Sequence, residues 1–210
     1  MRVFKNLTSE KFKKSLYIKI ILIIYATVLF ALNGYGQGFK NLDNDPHDIA
    51  YYRESNVTPP LVKVVYGRPS VENNKEAFGN KIPFGELWRT GANARTKITF
   101  SDDITFAGQE VKAGTYAIFT IPGEKNWEVY LYTEHQGNGA PQTLDESKIA
   151  AKATVEAMPI PFVVETFTID INNIRDASAN LDIMWEQTYI TVPFTVPTDA
   201  KVSAAIDKKL

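Results

Sequence analysis

Residues 104–123 read ITFAGQEVKAGTYAIFTIPG and contain three short runs of β-branched and aromatic residues. Ala-Gly pairs at 107–108 and 113–114 separate the runs, and the last one ends at Pro122-Gly123. Glycine and other small residues between such runs are typical of β-hairpins. The stretch therefore predicts three consecutive strands joined by tight turns.

The same two-residue period of apolar side chains continues on both sides of this stretch. Alternating runs occur at 61–66, 96–101, 127–133, 162–171, 180–187 and 188–196. Short strands at this spacing indicate an antiparallel sheet with one buried face. The expected fold is all-β, an antiparallel β-sandwich of which the jelly roll is one form. Pro193, which has no N–H to donate, predicts that the last run lies at a sheet edge.

Residues 143–158, TLDESKIAAKATVEAM, fit two interpretations. Thr143 and Glu146 have the spacing of a capping box, and the alanines favour a helix. Apolar residues nevertheless alternate strictly from Ile149 to Ala157. We expect a strand from about Ile149, preceded by a helical turn.

Residues 1–36 have the features of a secretory signal peptide. Six basic side chains precede an apolar stretch over 20–32, and Gly34 and Gly36 precede Gln37. This order predicts cleavage before Gln37. An uncleaved membrane anchor is the alternative, but thirteen helical residues span only about 20 Å of a hydrocarbon core of roughly 30 Å.

Beyond the signal peptide we expect an N-terminal arm over 37–60, a single β-sandwich domain over 61–197 and a tail over 198–210. Without residues 1–36 the chain has 17 basic and 23 acidic side chains, a net charge of −6. An acidic domain is unsuited to phosphate backbones, which argues against nucleic acid as a partner. The chain contains no cysteine, so it has no disulfide, thiol nucleophile or zinc–thiolate site.

Motifs for catalysis or metal binding are absent from the sequence. His47 and His135 are its two histidines, and neither belongs to an HxH, HExxH, GxSxG or SxxK motif. Glu86, Asp102 and Asp103 raise the possibility of a glycosidase-like carboxylate pair, but acids at turns are ordinarily solvated. We predict no catalytic residue, no metal site and no cofactor.

The densest group of polar residues lies in PFGELWRTGANARTKITF, residues 83–100, with YGRPS at 66–70 before it. Arginine offers a planar fork of donors to a carboxylate, a phosphate or sugar hydroxyls, and tryptophan offers a flat stacking face. The candidate ligand-binding residues are Arg68, Trp88, Arg89, Thr90 and Asn93.

A purely structural interpretation of the same residues is equally coherent. Arg89 would pair with Glu86, and Trp88 would belong to the core. Thr90 and Asn93 would then satisfy the backbone of a buried loop. The sequence leaves both interpretations open.

Three blocks of the chain resemble a bacterial family called domain of unknown function 2911. The blocks are YGRPS, the long stretch from AFGNKIPFGELWRTGAN to TYAIFTIPG, and LDIMWEQT. The resemblance covers about residues 42–196. It implies a secreted or periplasmic, envelope-associated protein of Gram-negative bacteria with no established reaction.

Two departures from the family pattern favour a protein without catalytic activity. The family's usual glutamate after WRTGAN is Ala94 here. Residues 135–146, HQGNGAPQTLDE, replace a stretch that contains tryptophan and tyrosine in the family. A pocket that used this wall would have lost stacking surface.

The sequence therefore supports three functional hypotheses. The leading one is a non-catalytic periplasmic or outer-surface module that binds a small ligand, a glycan or an envelope protein through the YGRP and WRTGAN region. The second is an assembly partner of the cell envelope, in which WRTGAN is a folding element and the sheet edge near Pro193 meets another chain. The third is a hydrolase of envelope polymers.

Overall fold

The computed structural model describes residues 13–25, 43–53, 55–71 and 76–197. The chain divides into two units, Met1–Leu42 and Asp43–Leu210, and residues 13–25 of the first unit are helical. No helix within the described ranges is long and apolar enough to cross a membrane. The predicted cleavage before Gln37 and the predicted tail over 198–210 lie outside the described residues.

The described part of the second unit consists of antiparallel strands in two sheets. The strands are β1 His47–Tyr52, β2 Val62–Gly67, β3 Lys97–Phe100, β4 Ile104–Phe106, β5 Gln109–Val111, β6 Gly114–Ile121, β7 Asn126–Tyr132, β8 Ile149–Glu156, β9 Met158–Asn172 and β10 Ser178–Thr195. One sheet has the order β1-β2-β3-β6-β7-β8 and the other the order β5-β4-β10-β9. The predicted all-β, antiparallel two-sheet fold is confirmed.

Alternating apolar side chains from both sheets form one shared core. Ile98, Ile118 and Leu131 enter it from the six-stranded sheet, and Leu181 and Phe194 from the four-stranded sheet. None of these side chains is more than 2 % exposed. Complete burial of one such side chain stabilises a fold by about 1.5–3 kcal/mol, so the period-two pattern accounts for the two layers.

The six-stranded sheet also buries part of its outer face. Ala117 and Phe119 of β6 and Tyr132 of β7 are at most 3 % exposed. Leu87 and Ala140 are among the residues that pack against them, and we call this group the second cluster. The expectation of one buried face is wrong here because the segment after β7 folds back over β6 and β7.

The predicted strand from Ile149, preceded by a helical turn, is confirmed. A 3-10 turn spans Glu146–Lys148, and β8 begins at the next residue. The cap of the turn is Asp145, whose carboxylate accepts a hydrogen bond from the Ser147 backbone N–H at 3.0 Å. The capping residue is therefore not the predicted Thr143.

Within the expected N-terminal arm over residues 37–60, His47–Tyr52 are a strand that the sequence analysis did not predict. These residues form β1, which pairs with β2 along its whole length at one edge of the six-stranded sheet. The alternation of apolar and polar residues in this segment is weak, because the positions of the edge strand are exposed or half-buried and none is fully buried. Pairing with β2 therefore determines this strand more than burial does.

The predicted edge position of Pro193 is also wrong. The runs 180–187 and 188–196 form one strand, β10, which lies between β4 and β9. The pairing of β10 with β9 ends at Tyr189, so Pro193 lies beyond it. Towards β4, the Pro193 carbonyl accepts the Ala107 N–H at 2.9 Å.

A bulge in β10 brings the carboxylate of Glu186 to the backbone of another segment. Glu186 has a φ of 52°, and the register with β9 shifts on both sides of it. Its carboxylate accepts the backbone N–H groups of Ala77 at 2.6 Å and Phe78 at 3.5 Å. A second acid of β10, Asp182, is 5 % exposed and accepts a hydrogen bond from Asn172 at 3.1 Å.

Polar contacts join the two sheets along both sides of the sandwich. On one side residues 69–71 pair with β9, where the Phe167 N–H donates to Pro69 O at 2.8 Å and the Val71 N–H donates to Glu165 O at 3.0 Å. On the other side the side-chain amide of Gln109 in β5 donates to Lys152 O in β8. The Lys152 N–H donates in return to Gln109 Oε1 at 3.2 Å.

An ion pair on the outer face of the six-stranded sheet makes stability depend on pH. Lys152 Nζ lies 2.7 Å from Glu128 Oε1, and the Tyr130 hydroxyl also donates to Glu128. The hydrogen bond from Lys152, followed by that from Tyr130, holds the pKa of Glu128 below its ordinary value of 4.5. The stabilisation is therefore present above pH 4.5 and disappears as the pH falls through the lower, folded-state pKa.

Glu128→Gln should lower the free energy of unfolding at pH 7 by about 0.5–1 kcal/mol, because the pair is partly exposed and screened by solvent. At an acid pH below the folded-state pKa of Glu128, the difference from the unchanged protein should shrink towards zero, since Glu128 itself is then protonated. Urea titrations at the two pH values measure the difference. A loss of the same size at both would show that the glutamate acts through packing and not through its charge.

Candidate functional site

The WRTGAN residues lie in a loop that leaves the side of β6 and returns to it. We call residues 88–96 the corner loop. Trp88 and Thr120 exchange backbone hydrogen bonds of 2.8 and 2.9 Å at its start. At its end the Ile118 N–H donates to Thr96 O at 2.9 Å. Between Trp88 and Thr96 the corner loop is held by hydrogen bonds of its own side chains and by contacts with neighbouring segments.

Gly67 of YGRP and the corner loop meet backbone to backbone. The Ala92 N–H donates to Gly67 O at 3.3 Å. A Cβ atom at Gly67 would lie 2.3 Å from Ala92 O, and one at Gly91 would lie 2.9 Å from Gly67 O. Gly91 also has a φ of +149°, which side chains disfavour. The glycines of both motifs are therefore required by packing.

Trp88 belongs to the core. Its side chain stacks on Trp185 with ring centroids 5.9 Å apart and 17° between planes, and it meets Phe78 and Phe167 edge to face. Its indole N–H donates to Gly91 O at 3.1 Å. With 7 % of its surface exposed and its polar atom satisfied, Trp88 has no free face for a ligand.

Thr90 is fully buried and holds the corner loop in a strained conformation. Its φ of 57° is rare for a β-branched residue and costs roughly 1–3 kcal/mol. Two hydrogen bonds compensate: its hydroxyl lies 3.1 Å from Thr120 Oγ1, and its carbonyl accepts the Thr96 hydroxyl at 2.6 Å. Thr90 therefore faces the protein interior.

Asn93 joins the corner loop to the segment before β1. Its side-chain amide donates to Asp43 Oδ2 at 2.8 Å and to the Asp45 backbone carbonyl at 3.3 Å. Its φ of 59° is one that asparagine tolerates better than most residues. The side-chain NH₂ group of Asn93, which the sequence suggested as a donor to a ligand, is therefore already bonded to two protein acceptors.

Arg68 connects three strands across the two sheets. Its guanidinium donates to Asp48 Oδ2 at 2.9 Å, to Phe167 O at 3.1 Å and to Thr168 Oγ1 at 3.1 Å. Its side chain is 31 % exposed. All three guanidinium nitrogens have protein partners, so Arg68 acts as a clamp between β1, β2 and β9.

Arg89 differs from the other four candidate residues. Within the described ranges no hydrogen bond, ion pair or ring contact involves its half-buried side chain, and the suggested pair with Glu86 is not formed. Its Nε is buried without an acceptor. A buried donor that lacks a partner costs about 1–3 kcal/mol, and more when it is charged. Arg89 is therefore the one candidate of the five whose guanidinium donors have no acceptor among the described residues.

Arg95, which the sequence analysis did not select, fixes the wall beside Arg89. Arg95 donates to Gly139 O at 3.2 Å and to Glu134 O at 2.8 Å, and its guanidinium lies 5.5 Å from the centre of the Phe119 ring. The backbones of Ala94 and Asn138 also form an isolated β-bridge. The wall is thus built by 134–140, part of the segment that departs from the family pattern.

The carboxylates considered for catalysis have structural surroundings. Asp103 lies 2.8 Å from Lys112 Nζ and accepts the Ala113 N–H at 2.8 Å. The hydrogen bond from Lys112, then that from Ala113, lowers the pKa of Asp103. Asp102 accepts the Ser101 hydroxyl at 2.7 Å, and Glu86 is exposed. In the described ranges no three His, Asp or Glu side chains are grouped to hold a metal ion.

The family comparison covers the strands and the corner loop together. The family model described as "Protein of unknown function (DUF2911)" matches residues 50–194, from within β1 to the end of β10. The chain belongs to the DUF2911 family. No curated protein and no solved structure matches it. The DUF2911 match includes the YGRP and WRTGAN motifs, whose glycines and tryptophan have packing roles here.

Proposed function

We propose that this DUF2911 protein is an exported, non-catalytic β-sandwich module of a Gram-negative cell envelope. In this proposal the WRTGAN corner loop is a folding element that presents one residue, Arg89, to a small molecule, a glycan or an envelope protein. The periplasm or the outer surface is the proposed location, with membrane contact limited to the signal peptide before cleavage. Nucleic acid is not among the proposed partners.

The observation that carries the proposal is the difference between Arg89 and its four neighbours. Trp88 and Thr90 are buried, and Arg68 and Asn93 donate to protein acceptors. Arg89 alone among the five has a charged group without a partner in the described residues. Unused charged donors on a rigid loop are a recurrent property of binding sites.

An assembly role through the sheet edge near Pro193 is less well supported. That proposal required β10 to be an edge strand, whereas β10 lies between β4 and β9 and is unpaired with β9 only beyond Tyr189. The hydrolase proposal is weakened in a similar way, because Asp103 is held by Lys112 and the Ala113 N–H. We therefore expect no turnover of glycan or ester substrates.

A thermal-shift screen of the purified protein tests the proposal. Cell-wall fragments, sugars and organic acids are the ligands, because a compound that binds only the folded state must raise the melting temperature. At least one compound should raise it by several degrees, and Arg89→Gln should abolish that rise without lowering the melting temperature of the free protein. The N-terminal sequence of the exported protein should begin at Gln37.

Two results would contradict the proposal. One is a screen in which no envelope component shifts the melting temperature, or in which Arg89→Gln leaves every shift unchanged. The other is a reproducible hydrolytic activity that Glu86→Gln or Asp102→Asn lowers a hundredfold in a folded protein. General acid–base assistance is worth roughly 10²–10⁴-fold, so loss of a catalytic carboxylate would be visible on that scale.

A further inference from the structure

The two ends of the Arg89 guanidinium have different surroundings. Nε is buried without an acceptor, whereas Nη1 and Nη2 are accessible to solvent and have no hydrogen-bond partner among the described residues. The two terminal nitrogens therefore reach the surface, while the inner nitrogen is sealed against the protein. A guanidinium held in this way presents two parallel N–H groups outward.

Among the described residues, no acid pairs with Arg89. Arg95, a second cation, donates to Gly139 O at 3.2 Å, and a Cβ atom at Gly139 would lie 3.9 Å from Arg89 Nη1. Two guanidinium groups thus flank one glycine. The nearby acid Glu134 is already bound to Lys148 at 2.6 Å. The charge of Arg89 consequently remains uncompensated by the described residues.

An apolar group lies beneath Arg95, the second arginine of this pair. Its guanidinium lies 5.5 Å from the centre of the ring of Phe119, which belongs to the second cluster. An apolar group lowers the local dielectric constant and strengthens an ionic hydrogen bond above it. Gly139 has no side chain to obstruct the approach to Nη1.

We propose that Arg89 binds an oxyanion end-on through Nη1 and Nη2. This oxyanion is a part of the ligand that the corner loop binds in the proposed function. The inference rests on the proposed function for its biological setting. Two coplanar oxygens match the two outward N–H groups, so a carboxylate fits best. Phosphate and sulfate have the same acceptor pattern and are the alternative sources of the oxyanion.

A titration followed by ¹⁵N–¹H NMR tests this assignment directly. The purified, ¹⁵N-labelled protein is titrated at constant ionic strength with sodium acetate, sodium phosphate, sodium sulfate and sodium chloride. The reporters are the Arg89 Nε–H signal, identified by its loss in Arg89→Lys, and the backbone amide of Gly139. Acetate should shift both signals saturably, with a Kd on the order of 1 mM, as a four-atom ligand held by one charged pair allows.

Matched variants separate a site at Arg89 from general attraction to positive charge. Arg89→Gln should weaken acetate binding at least tenfold, judged from Gly139. Lys97→Gln removes one positive charge beside the same wall, where Lys97 Nζ contacts Gln136 Oε1 at 3.3 Å. That variant should change the Kd less than twofold. The spectra of the variants must keep their dispersion, which shows that the fold is intact.

The assignment is overturned if no oxyanion gives a saturable shift, if chloride gives the same shift as acetate, or if Arg89→Gln binds acetate unchanged. Tighter binding of phosphate or sulfate than of acetate would assign a tetrahedral oxyanion instead of a carboxylate. A neutral sugar that depends on Arg89 while no oxyanion binds would uphold the proposed function and reject this inference. If an oxyanion binds at Arg89 but no envelope component binds in the thermal-shift screen, this inference would be upheld and the proposed function rejected.

Discussion

Replacement of Gly67 by alanine is expected to destabilise the fold by about 3 kcal/mol or more, the upper range for an overpacked site. The added methyl carbon would lie 2.3 Å from Ala92 O and 2.9 Å from Ala92 C. Both atoms belong to the backbone, so no side-chain rotation relieves the clash. The corner loop would have to move away from β2 and lose the hydrogen bond between Ala92 N–H and Gly67 O.

Urea denaturation followed by circular dichroism measures this effect, and Gly85→Ala is its control. Gly85 has a φ of +78° with nothing within 4 Å of the added carbon. Alanine at Gly85 should therefore destabilise the fold only through its unfavourable positive φ, by about 1–2 kcal/mol. If Gly67→Ala proved no worse than this control, the close backbone approach described here would be incorrect.

Trp88→Ala is expected to lower the free energy of unfolding by about 3–5 kcal/mol, the usual range for a buried aromatic residue. The substitution removes a ring that contacts Trp185, Phe78 and Phe167 and leaves Gly91 O without its donor. Because small domains are stable by only about 5–15 kcal/mol, this loss removes a large fraction of the total stability. Chemical denaturation of the purified variant provides the measurement.

Arg89→Ala is the companion variant for Trp88→Ala, since the two residues are adjacent in the corner loop. Its side chain has no partner among the described residues and keeps its Nε buried without an acceptor, so the substitution should not lower the free energy of unfolding by more than about 0.5 kcal/mol and should raise it if the buried donor is relieved. A loss above roughly 2 kcal/mol would identify Arg89 as a structural arginine. A small loss for Trp88→Ala would place that ring outside the core.

The layered fold was predictable because it depends on a local pattern. Alternation in the runs that became β6, β7 and β10 identifies inward residues such as Ile118, Leu131 and Leu181 without knowledge of their partners. The strand β1 was missed because an edge strand with no fully buried residue leaves only a faint alternation. The burial of Phe119 on the outer face depends on a distant segment that folds over it, which periodicity does not encode.

The roles of the corner-loop residues were not predictable for a similar reason. Arg68 contacts Thr168, and Asn93 contacts Asp43, across separations of 100 and 50 residues. A sequence pattern shows that such groups can donate hydrogen bonds but not where their acceptors lie. The sequence therefore left the structural and ligand-binding interpretations equal. The contacts give structural roles to Arg68, Trp88, Thr90 and Asn93, and ligand binding stays a prediction for Arg89.

The Gln109 amide protects an edge of the sandwich from unwanted association. β5 and β8 are the outermost strands of their sheets on one side, and Gln109 occupies both the N–H and the carbonyl of Lys152. An exposed strand edge is a template on which another chain can add a strand and begin aggregation. Because the amide imitates a peptide group, an incoming strand would have to break two hydrogen bonds before it could pair at Lys152. One neutral side chain thus caps the β8 edge at this point without adding charge.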